Sequence, residues 1–155
     1  MRTADEITIR PAADRGAVPH SELVFAGRPM GLCVPGKVLE AAVEIDGRYL
    51  VFLTEGVTME ELLAIHLVSV HGELLDTAGV GVMTALGIFA RLKLAPPRRV
   101  NFQFLGELQW SVEVFPEPRL AWPLLREAPG VKRPFGLRRA FRVRASAPVA
   151  GLVSA

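Results

Sequence analysis

Cationic and aromatic side chains are interleaved near the C-terminal end of the chain, a combination that can bind anions. The cations are Lys132, Arg133, Arg138, Arg139, Arg142 and Arg144, with Phe135 and Phe141 between them. Arginine neutralises phosphate groups while aromatic rings stack on bases, which is how β-sheet surfaces hold single-stranded nucleic acid. In an extended strand, however, Phe141 points opposite to the even-numbered arginines, which weakens the stacking part of this interpretation. The binding residues predicted from this pattern are Arg133, Arg138, Arg142 and Arg144.

One of the two tryptophans, Trp122, stands beside Pro123 in a proline-rich stretch and could anchor a protein contact. Tryptophan and arginine are enriched at the energetic centres of protein interfaces. The alternative is that Trp122 holds this stretch against the protein's own core. We predict Trp122 as a further binding residue, whose partner is another protein or a second copy of the chain.

The segment 31–38 resembles the phosphate-binding loop pattern G-x-x-x-x-G-K-[ST]. Gly31, Gly36 and Lys37 match the pattern, but Val38 replaces the hydroxyl residue that holds Mg²⁺. The pattern also requires a helix after the loop, whereas the following residues are at least as typical of a strand. A plain turn at Pro35-Gly36 is the simpler interpretation, so we expect no nucleotide cofactor.

Histidine, cysteine and carboxylate residues are scattered, which argues against a metal site and a catalytic centre. His66 and His71 are five residues apart, so neither a strand nor a helix would point both at one metal ion. Cys33 is the only cysteine and stands in an apolar stretch, where we expect it to be buried. Glu40 and Glu44 would lie about 13 Å apart on a strand, beyond the spacing of glycosidase pairs. We therefore expect no catalytic residues, no metal and no cofactor, and a function that is not enzymatic.

Composition indicates a single globular domain over residues 1–155. Half of the residues (50%) are hydrophobic and 22% are charged, which is too apolar for a disordered chain. The longest uncharged run, 77–90, is shorter than the roughly 20 residues of a membrane-spanning helix. The first six residues lack the apolar stretch of a secretory signal, and one cysteine cannot form an internal disulfide. We expect a soluble, cytoplasmic protein that does not enter a membrane.

Charge is unevenly distributed along the chain, although the net charge is only +2. Residues 1–118 carry 10 Lys/Arg and 15 Asp/Glu, whereas residues 119–155 carry eight Lys/Arg and a single acid, Glu127. Either the basic segment folds against the acidic body and neutralises it, or it presents a surface to an anionic partner.

The clearest structural signal is a hairpin at Asp46-Gly47, because a type I′ turn requires positive φ at both central residues. The pairs that a two-residue loop predicts are Ile45 with Arg48, Val43 with Leu50, and Ala41 with Phe52. One face is then apolar and should be core: Leu39, Ala41, Val43, Ile45, Leu50 and Phe52. The other face is half apolar, and we expect it to be partly covered: it carries Glu40, Ala42 and Glu44 opposite Leu53, Val51 and Tyr49.

A second pair of strands is predicted over 100–104 and 109–115, around Gly106. A two-residue loop would mix apolar and polar side chains on each face, whereas a slip of one residue puts the apolar ones together. We therefore predict an odd-length loop or a bulge at Gly106. The corresponding pairs are Phe104 with Trp110, Phe102 with Val112, and Val100 with Val114.

Residues 58–78 combine helix and strand signals. Thr58 and Glu61 match a capping box, but 65–70 is rich in β-branched residues and His71-Gly72 is typical of a hairpin turn. We predict a short helical turn at 58–61 followed by a strand, with His66 packed or hydrogen-bonded.

The remaining predictions concern three further segments. The strand 88–94 should turn one set of side chains to one face: Ile88, Ala90, Leu92 and Leu94. Its other face should carry Phe89, Arg91 and Lys93.

Residues 116–134 contain five prolines and are predicted as a connecting arm, not a central strand. In a basic C-terminal strand at 137–145, Leu137, Phe141 and Val143 should face the core and the even-numbered arginines should face out.

Together these segments predict a mainly β fold, an antiparallel β-sandwich or barrel of about eight short strands with at most one or two short helices. The predicted function is a β-domain that binds another protein or its own copy through edge strands and the proline-rich arm. Nucleic-acid binding through the basic C-terminal segment is the first alternative. Small-ligand binding inside a β-barrel is the second.

Overall fold

A computed structural model describes residues 1–13, 16, 18–56, 62–81, 87–121 and 127–146 of the chain. These residues form thirteen strands and no helix, all pairings being antiparallel, so the mainly β prediction is confirmed while eight strands is too few. Within the described ranges no helix is long and apolar enough to cross a membrane. The helical turn predicted at 58–61 and the predicted contact residue Trp122 lie outside the described residues.

Three open sheets contain these strands. In spatial order, sheet 1 comprises β1 (Arg2–Thr3), β5 (Val38–Ile45), β6 (Arg48–Thr54), β7 (Leu63–Ser69), β8 (Leu74–Val80) and β12 (Val131–Lys132). Sheet 2 comprises β13 (Arg138–Ser146), β11 (Gln109–Leu120), β10 (Arg99–Gln103) and β9 (Ala90–Ala95). Sheet 3 comprises β2 (Ile7–Pro11), β3 (His20–Phe25) and β4 (Arg28–Pro35).

Sheet 1 lies between the other two sheets and buries a separate apolar core against each of them. The first core combines Phe52 with Phe102 of sheet 2, and the second combines Leu53 with Leu23 of sheet 3. Successive side chains of a strand point to opposite faces, so the neighbours Phe52 and Leu53 belong to different cores. β6 and β7 are buried almost throughout, as expected for strands covered on both faces. The described residues therefore form a sandwich of three β layers and no closed barrel.

The hairpin at Asp46-Gly47 has the predicted turn and pairing. Asp46 and Gly47 both have positive φ, at 51° and 71°. The three predicted pairs are all present: Ile45 with Arg48, Val43 with Leu50, and Ala41 with Phe52. Leu39 is a correction, because a bulge between Leu39 and Ala41 turns it to the second core. The face carrying Tyr49, Val51 and Leu53 is buried beneath sheet 3.

The loop between β10 and β11 is odd in length, and the apolar residues of both strands share the first core, as predicted. The register differs from the prediction by two residues. The observed pairs are Val100 with Val112 and Phe102 with Trp110. Leu105 and Gly106 both adopt positive φ, at 61° and 74°, and so close a tighter loop than the prediction assumed. A shift by two preserves the faces, because side chains alternate with a period of two.

The start of β9 is out of phase with the prediction. Phe89 packs in the first core, 5.3 Å from the ring of Phe52, whereas Ile88 is 74% exposed. Arg91 has a φ of 53°, and the pairing with β10 shifts register at this point. The bulge inverts the faces, because an extra residue in one strand exchanges inward and outward positions. Beyond it Leu92 and Leu94 pack against the core as predicted.

The proline-rich arm begins later than predicted. Pro116 to Leu120 continue β11, which pairs with β10 and β13 and so lies inside sheet 2. A register shift between Val114 and Arg119 accommodates this segment, and the pairing with β13 then resumes. In β13, Phe141 and Val143 are buried as predicted. Leu137 is a correction, because it precedes the strand and is 73% exposed.

Segment 31–38 also departs from the phosphate-binding loop that it resembles. Its first part belongs to β4, and the strand β5 begins at Val38, where that loop would require a helix. Gly36 has a φ of 128°, and a Cβ there would lie 2.4 Å from the Cβ of Leu53, so the turn packs directly on the central sheet. The glycine therefore permits a close backbone approach rather than a cradle for phosphate.

Candidate anion-binding face

The solvent-facing side of sheet 2, here called the basic face, carries cationic side chains from three of its four strands. Val100 and Phe102 point into the first core, so their neighbours on β10 point outward, and the same alternation holds on β11 and β13. The members of the face are Lys93, Arg99, Asn101, Gln103, Gln109, Ser111, Glu113, Arg142 and Arg144. Four cations thus stand against one carboxylate, among four uncharged hydrogen-bonding side chains.

Strand register arranges these side chains in rows across the sheet. One row runs through Lys93, Asn101, Ser111 and Arg144, one residue from each strand. The next row contains Arg99, Glu113 and Arg142. At roughly 4.8 Å between neighbouring strands, each four-strand row is about 14 Å wide. The face therefore brings together cations from three separate parts of the chain.

Glu113 organises the second row. Its carboxylate accepts a hydrogen bond of 2.8 Å from Arg142 and lies 3.6 Å from the guanidinium of Arg99. The hydrogen bond from Arg142 holds the pKa of Glu113 below its usual range. In the first row, neither Lys93 nor Arg144 has a carboxylate within 4.0 Å in the described part of the chain. The net positive charge of the basic face is therefore concentrated in the first row, at Lys93 and Arg144.

A surface cleft of about 380 Å³ adjoins the basic face at the loop between β9 and β10. It is called the arginine cleft here, because three of its lining residues are Arg98, Arg99 and Arg119. The cleft also includes Glu113, and its walls contain Pro96, Pro97 and Pro116. Arg99 and Glu113 belong to both the cleft and the basic face, so the two are continuous.

Two of the cleft arginines are held in place by neighbouring groups. Arg98 forms an ion pair with Asp46 at 2.5 Å. The guanidinium of Arg119 lies 4.2 Å from the centre of the Phe115 ring. Among the described residues, no carboxylate lies within 4.0 Å of Arg119. Arg119 is therefore a positioned cation whose charge is open to a ligand.

Arg133, a predicted binding residue, is buried within the protein. It contacts Asp76 at 3.0 Å, and its Nε–H donates to both carboxylate oxygens of Glu127, each at 3.0 Å. It also donates to the carbonyl of Phe141 at 2.7 Å and lies 4.3 Å from the Phe141 ring. Only 8% of its side chain is exposed, so we leave it out of the candidate site.

The other predicted arginines occupy different surroundings. Arg144 is exposed on the basic face, and Arg142 is half-buried there against Glu113. Arg138 is exposed but lies opposite Leu120 at the far end of β13. The structure therefore brings Arg142 and Arg144 together and separates them from Arg138.

Three large apolar side chains that are close to Arg138 along the chain or across the strand pairing are exposed. They are called the apolar patch here and comprise Leu120, Phe135 and Leu137, which are 55%, 101% and 73% exposed. The N–H of Ala121 donates to the carbonyl of Leu137 at 2.8 Å, which brings the two segments of the patch together.

His66 is buried and hydrogen-bonded, as predicted. The hydroxyl of Thr77 lies 2.8 Å from Nδ1, and the carbonyl of Pro35 lies 3.2 Å from Nε2. The carbonyl can only accept, so Nε2 carries the proton and Nδ1 accepts from the hydroxyl. Burial lowers the pKa of His66 to about 4. Its ring is therefore neutral at neutral pH and ties sheet 1 to the end of β4.

Cys33 is exposed, contrary to the expected burial. It lies on the edge strand β4, where alternation turns Val34 inward and Cys33 outward. Within the described ranges, no group of three His, Cys, Asp or Glu side chains is arranged to hold a metal ion.

Sequence reasoning identified Arg142 and Arg144 but missed their neighbours on the face. Lys93 and Arg99 belong to strands that are distant in sequence from β13, and only strand register unites them. The available signal is the alternation of polar with apolar residues over 91–94 and 99–102, which turns Lys93 and Arg99 away from the core. Arg98 and Arg119 had no comparable signal.

Comparison with protein-family models, curated proteins and solved structures gives no match.

Proposed function

We propose that this protein binds single-stranded nucleic acid on the basic face of sheet 2. The observation that carries the proposal is the row of Lys93, Asn101, Ser111 and Arg144 together with Arg99 and Arg142 in the next row. Lysine and arginine neutralise phosphates, and amide and hydroxyl groups can bond to sugars and base edges. A cytoplasmic location, expected from the sequence, is part of this proposal.

The dimensions of the face favour an unpaired strand over a duplex. The major groove of B-DNA is about 12 Å wide and admits a helix or a two-stranded ribbon. A four-stranded sheet about 14 Å wide, before its side chains are added, does not enter such a groove. An unpaired strand can instead lie across the sheet, where about four stacked nucleotides at ~3.4 Å each would span it.

The composition of the face also limits the mode of binding. Phe141 is fully buried, and Phe115, although outside both cores, is fully buried as well. Base stacking on exposed rings therefore contributes little, and phosphate contacts carry most of the affinity. With three or four cations engaged, the logarithm of the binding constant should fall with the logarithm of salt with a slope of about −2 to −3.

Fluorescence anisotropy with labelled oligothymidylate and oligouridylate over a range of salt tests the proposal. The variant Lys93→Gln/Arg144→Gln should bind about tenfold more weakly at low salt and show a slope shallower by about 1 to 2. The matched control is Arg28→Gln/Lys37→Gln, which removes the same charges from exposed positions at sheet 3. Absence of binding at low salt, or an equal loss in the control, would overturn the proposal.

A second function, binding of an acidic protein segment, is favoured by the apolar patch. Leu120, Phe135 and Leu137 are all exposed, and Leu120 pairs with the exposed Arg138 across two neighbouring strands. Large exposed apolar groups with a charged rim mark contact sites between proteins. A symmetric dimer through this patch would bring Arg138 against its own copy, so a partner that carries carboxylates fits better.

Light scattering and affinity capture distinguish an acidic partner from self-association through the apolar patch. A stoichiometric acidic partner should be retained by wild type and by the control Leu74→Ser/Leu75→Ser, and lost by Phe135→Ser/Leu137→Ser. Leu74 and Leu75 are comparable controls because both are exposed, at 42% and 40%. A dimer that the patch variant dissolves would favour self-association instead. A monomer with no captured partner would contradict this function.

A further inference from the structure

We infer that the arginine cleft binds a phosphomonoester, the terminal phosphate of a strand lying on the basic face. The inference rests on the proposed function for the source of that phosphate. A free phosphorylated small molecule has the same charged group, and the experiment below distinguishes the two sources. The cleft is continuous with the basic face, because Arg99 and Glu113 line the cleft and also belong to the face.

The charge of the cleft favours an anion. Three guanidinium groups line it, of which Arg98 is paired with Asp46. Glu113 is shared between Arg142 at 2.8 Å and Arg99 at 3.6 Å, so the cleft keeps a net positive charge at Arg99 and Arg119. A phosphomonoester carries about −1.5 to −2 charges near neutral pH, because its second pKa is about 6. An internal phosphodiester carries only one, so the cleft should prefer a chain end.

The cleft is built before any ligand arrives. Its two anchored arginines both depend on the hairpin at Asp46-Gly47. Asp46 holds Arg98 by an ion pair of 2.5 Å, and Arg48 donates to the carbonyl of Phe115 at 2.9 Å. Phe115 in turn supports Arg119, whose guanidinium lies 4.2 Å from the ring centre. Because the hairpin and the buried ring fix these groups, less conformational entropy is lost when an anion binds.

Size and chemistry point to the same class of ligand. The cleft volume of about 380 Å³ falls at the lower end of the range for small-molecule sites. It can hold a phosphate together with the sugar that bears it. Guanidinium groups bind phosphate oxygens through paired N–H donors, and the proline-lined walls provide apolar contact without flexible side chains.

The experiment compares oligothymidylates of about twelve nucleotides that carry a 5′-phosphate, a 3′-phosphate or no terminal phosphate. Wild type should bind one phosphorylated form about fivefold more tightly than the unphosphorylated one. Arg119→Gln should abolish that preference and change the affinity for the unphosphorylated strand less than twofold. The control is Arg144→Gln, which lies in the row of Lys93, Asn101 and Ser111. It should weaken the binding of all three oligonucleotides and keep the preference for the terminal phosphate.

Calorimetric titration with inorganic pyrophosphate separates this inference from the proposed function. If no oligonucleotide binds but pyrophosphate binds wild type and not Arg119→Gln, the cleft is a site for small phosphates and the nucleic-acid proposal fails. If wild type binds phosphorylated and unphosphorylated strands equally, the cleft assignment is overturned while the proposed function stands. If neither class of probe binds, both are overturned.

Discussion

The guanidinium of Arg133 lies 3.0 Å from the carboxylate of Asp76, with only 8% and 4% of the two side chains exposed. Asp76 belongs to β8 of sheet 1, and its carboxylate also reaches sheet 2, where it accepts the N–H of Ala140 at 2.8 Å. Arg133 likewise donates to the carbonyl of Phe141. Side chains from sheet 1 and the arm thereby satisfy backbone groups at the edge of β13, which holds the two sheets together.

Removal of Arg133 should therefore destabilise the fold. The change Arg133→Met leaves Glu127 without its buried counter-charge and leaves Asp76 with Arg139 alone, at 3.6 Å. We expect the free energy of unfolding to fall by about 3 kcal/mol, the lower end of the range for a broken buried ion pair. Urea denaturation measures this. The control is Arg10→Gln, because the pair between Arg10 and Glu22 leaves 55% of the arginine side chain exposed and should contribute less than about 1 kcal/mol. Equal stabilities would contradict a structural role for Arg133.

Phe102 should be a determinant of stability, whereas Phe135 should not. Phe102 is fully buried between Phe52 and Phe89, with ring centres 5.3 Å and 5.2 Å away. Phe102→Ala removes these contacts and leaves a cavity, for which we expect a loss of about 3–5 kcal/mol. Phe135 is fully exposed, so Phe135→Ala should change stability by less than about 0.5 kcal/mol. Thermal and chemical denaturation of both variants would show whether this difference exists.

His66 should make the protein less stable as the pH falls. Its pKa is about 4 in the folded protein, because of burial, against about 6.5 in the unfolded chain. Between these values the unfolded state binds the additional proton, so stability is retained above pH 6.5 and decreases toward pH 4. From pH 7 to pH 5 the expected loss is about 2 kcal/mol.

Denaturation of wild type and His66→Gln over that pH range isolates the contribution of this ring. The variant is expected to be less stable at pH 7 but to depend less on pH, because glutamine does not titrate. Parallel curves for the two proteins would rule out His66 as the source of the pH dependence.

Short-range chemistry explains which parts of the fold were predictable. The turn at Asp46-Gly47 depends on two adjacent residues, and alternation identifies inward and outward positions from one residue to the next. The position of Phe89 was wrong because the positive φ of Arg91 inverts that alternation, and no side-chain pattern records it. The apolar second face of the hairpin, at Tyr49, Val51 and Leu53, indicated that another layer covers it, and sheet 3 is that layer.

The candidate site was predictable only in part, because it depends on contacts between distant segments. Arg142 and Arg144 stand two residues apart on one strand, so their common face follows from the sequence. Lys93 joins them through the register of two intervening strands. Arg133 stands in a segment typical of a solvated surface, and its burial depends on Asp76, a residue of another sheet.

Removal of the negative charge of Glu113 should strengthen the binding of nucleic acid to the basic face. It is the one carboxylate among the members of the face, and the hydrogen bond from Arg142 lowers its pKa, so it is charged at neutral pH. In Glu113→Gln, the amide oxygen can still accept from Arg142 while the negative charge is lost. We expect the affinity for oligothymidylate to rise about threefold to fivefold at low salt, with the gain decreasing as salt screens the face.

The matched control is Glu22→Gln, which removes a carboxylate paired with Arg10 on sheet 3 and should leave the affinity unchanged. Fluorescence anisotropy at several salt concentrations measures both variants. Salt distinguishes an electrostatic gain in affinity from one caused by altered packing of the ligand on the face. Salt screens the electrostatic gain, whereas a gain from packing would persist at high salt. If Glu113→Gln instead lowers the affinity at every salt concentration, the carboxylate does not oppose the ligand, and the anion does not lie along the row of Arg99, Glu113 and Arg142.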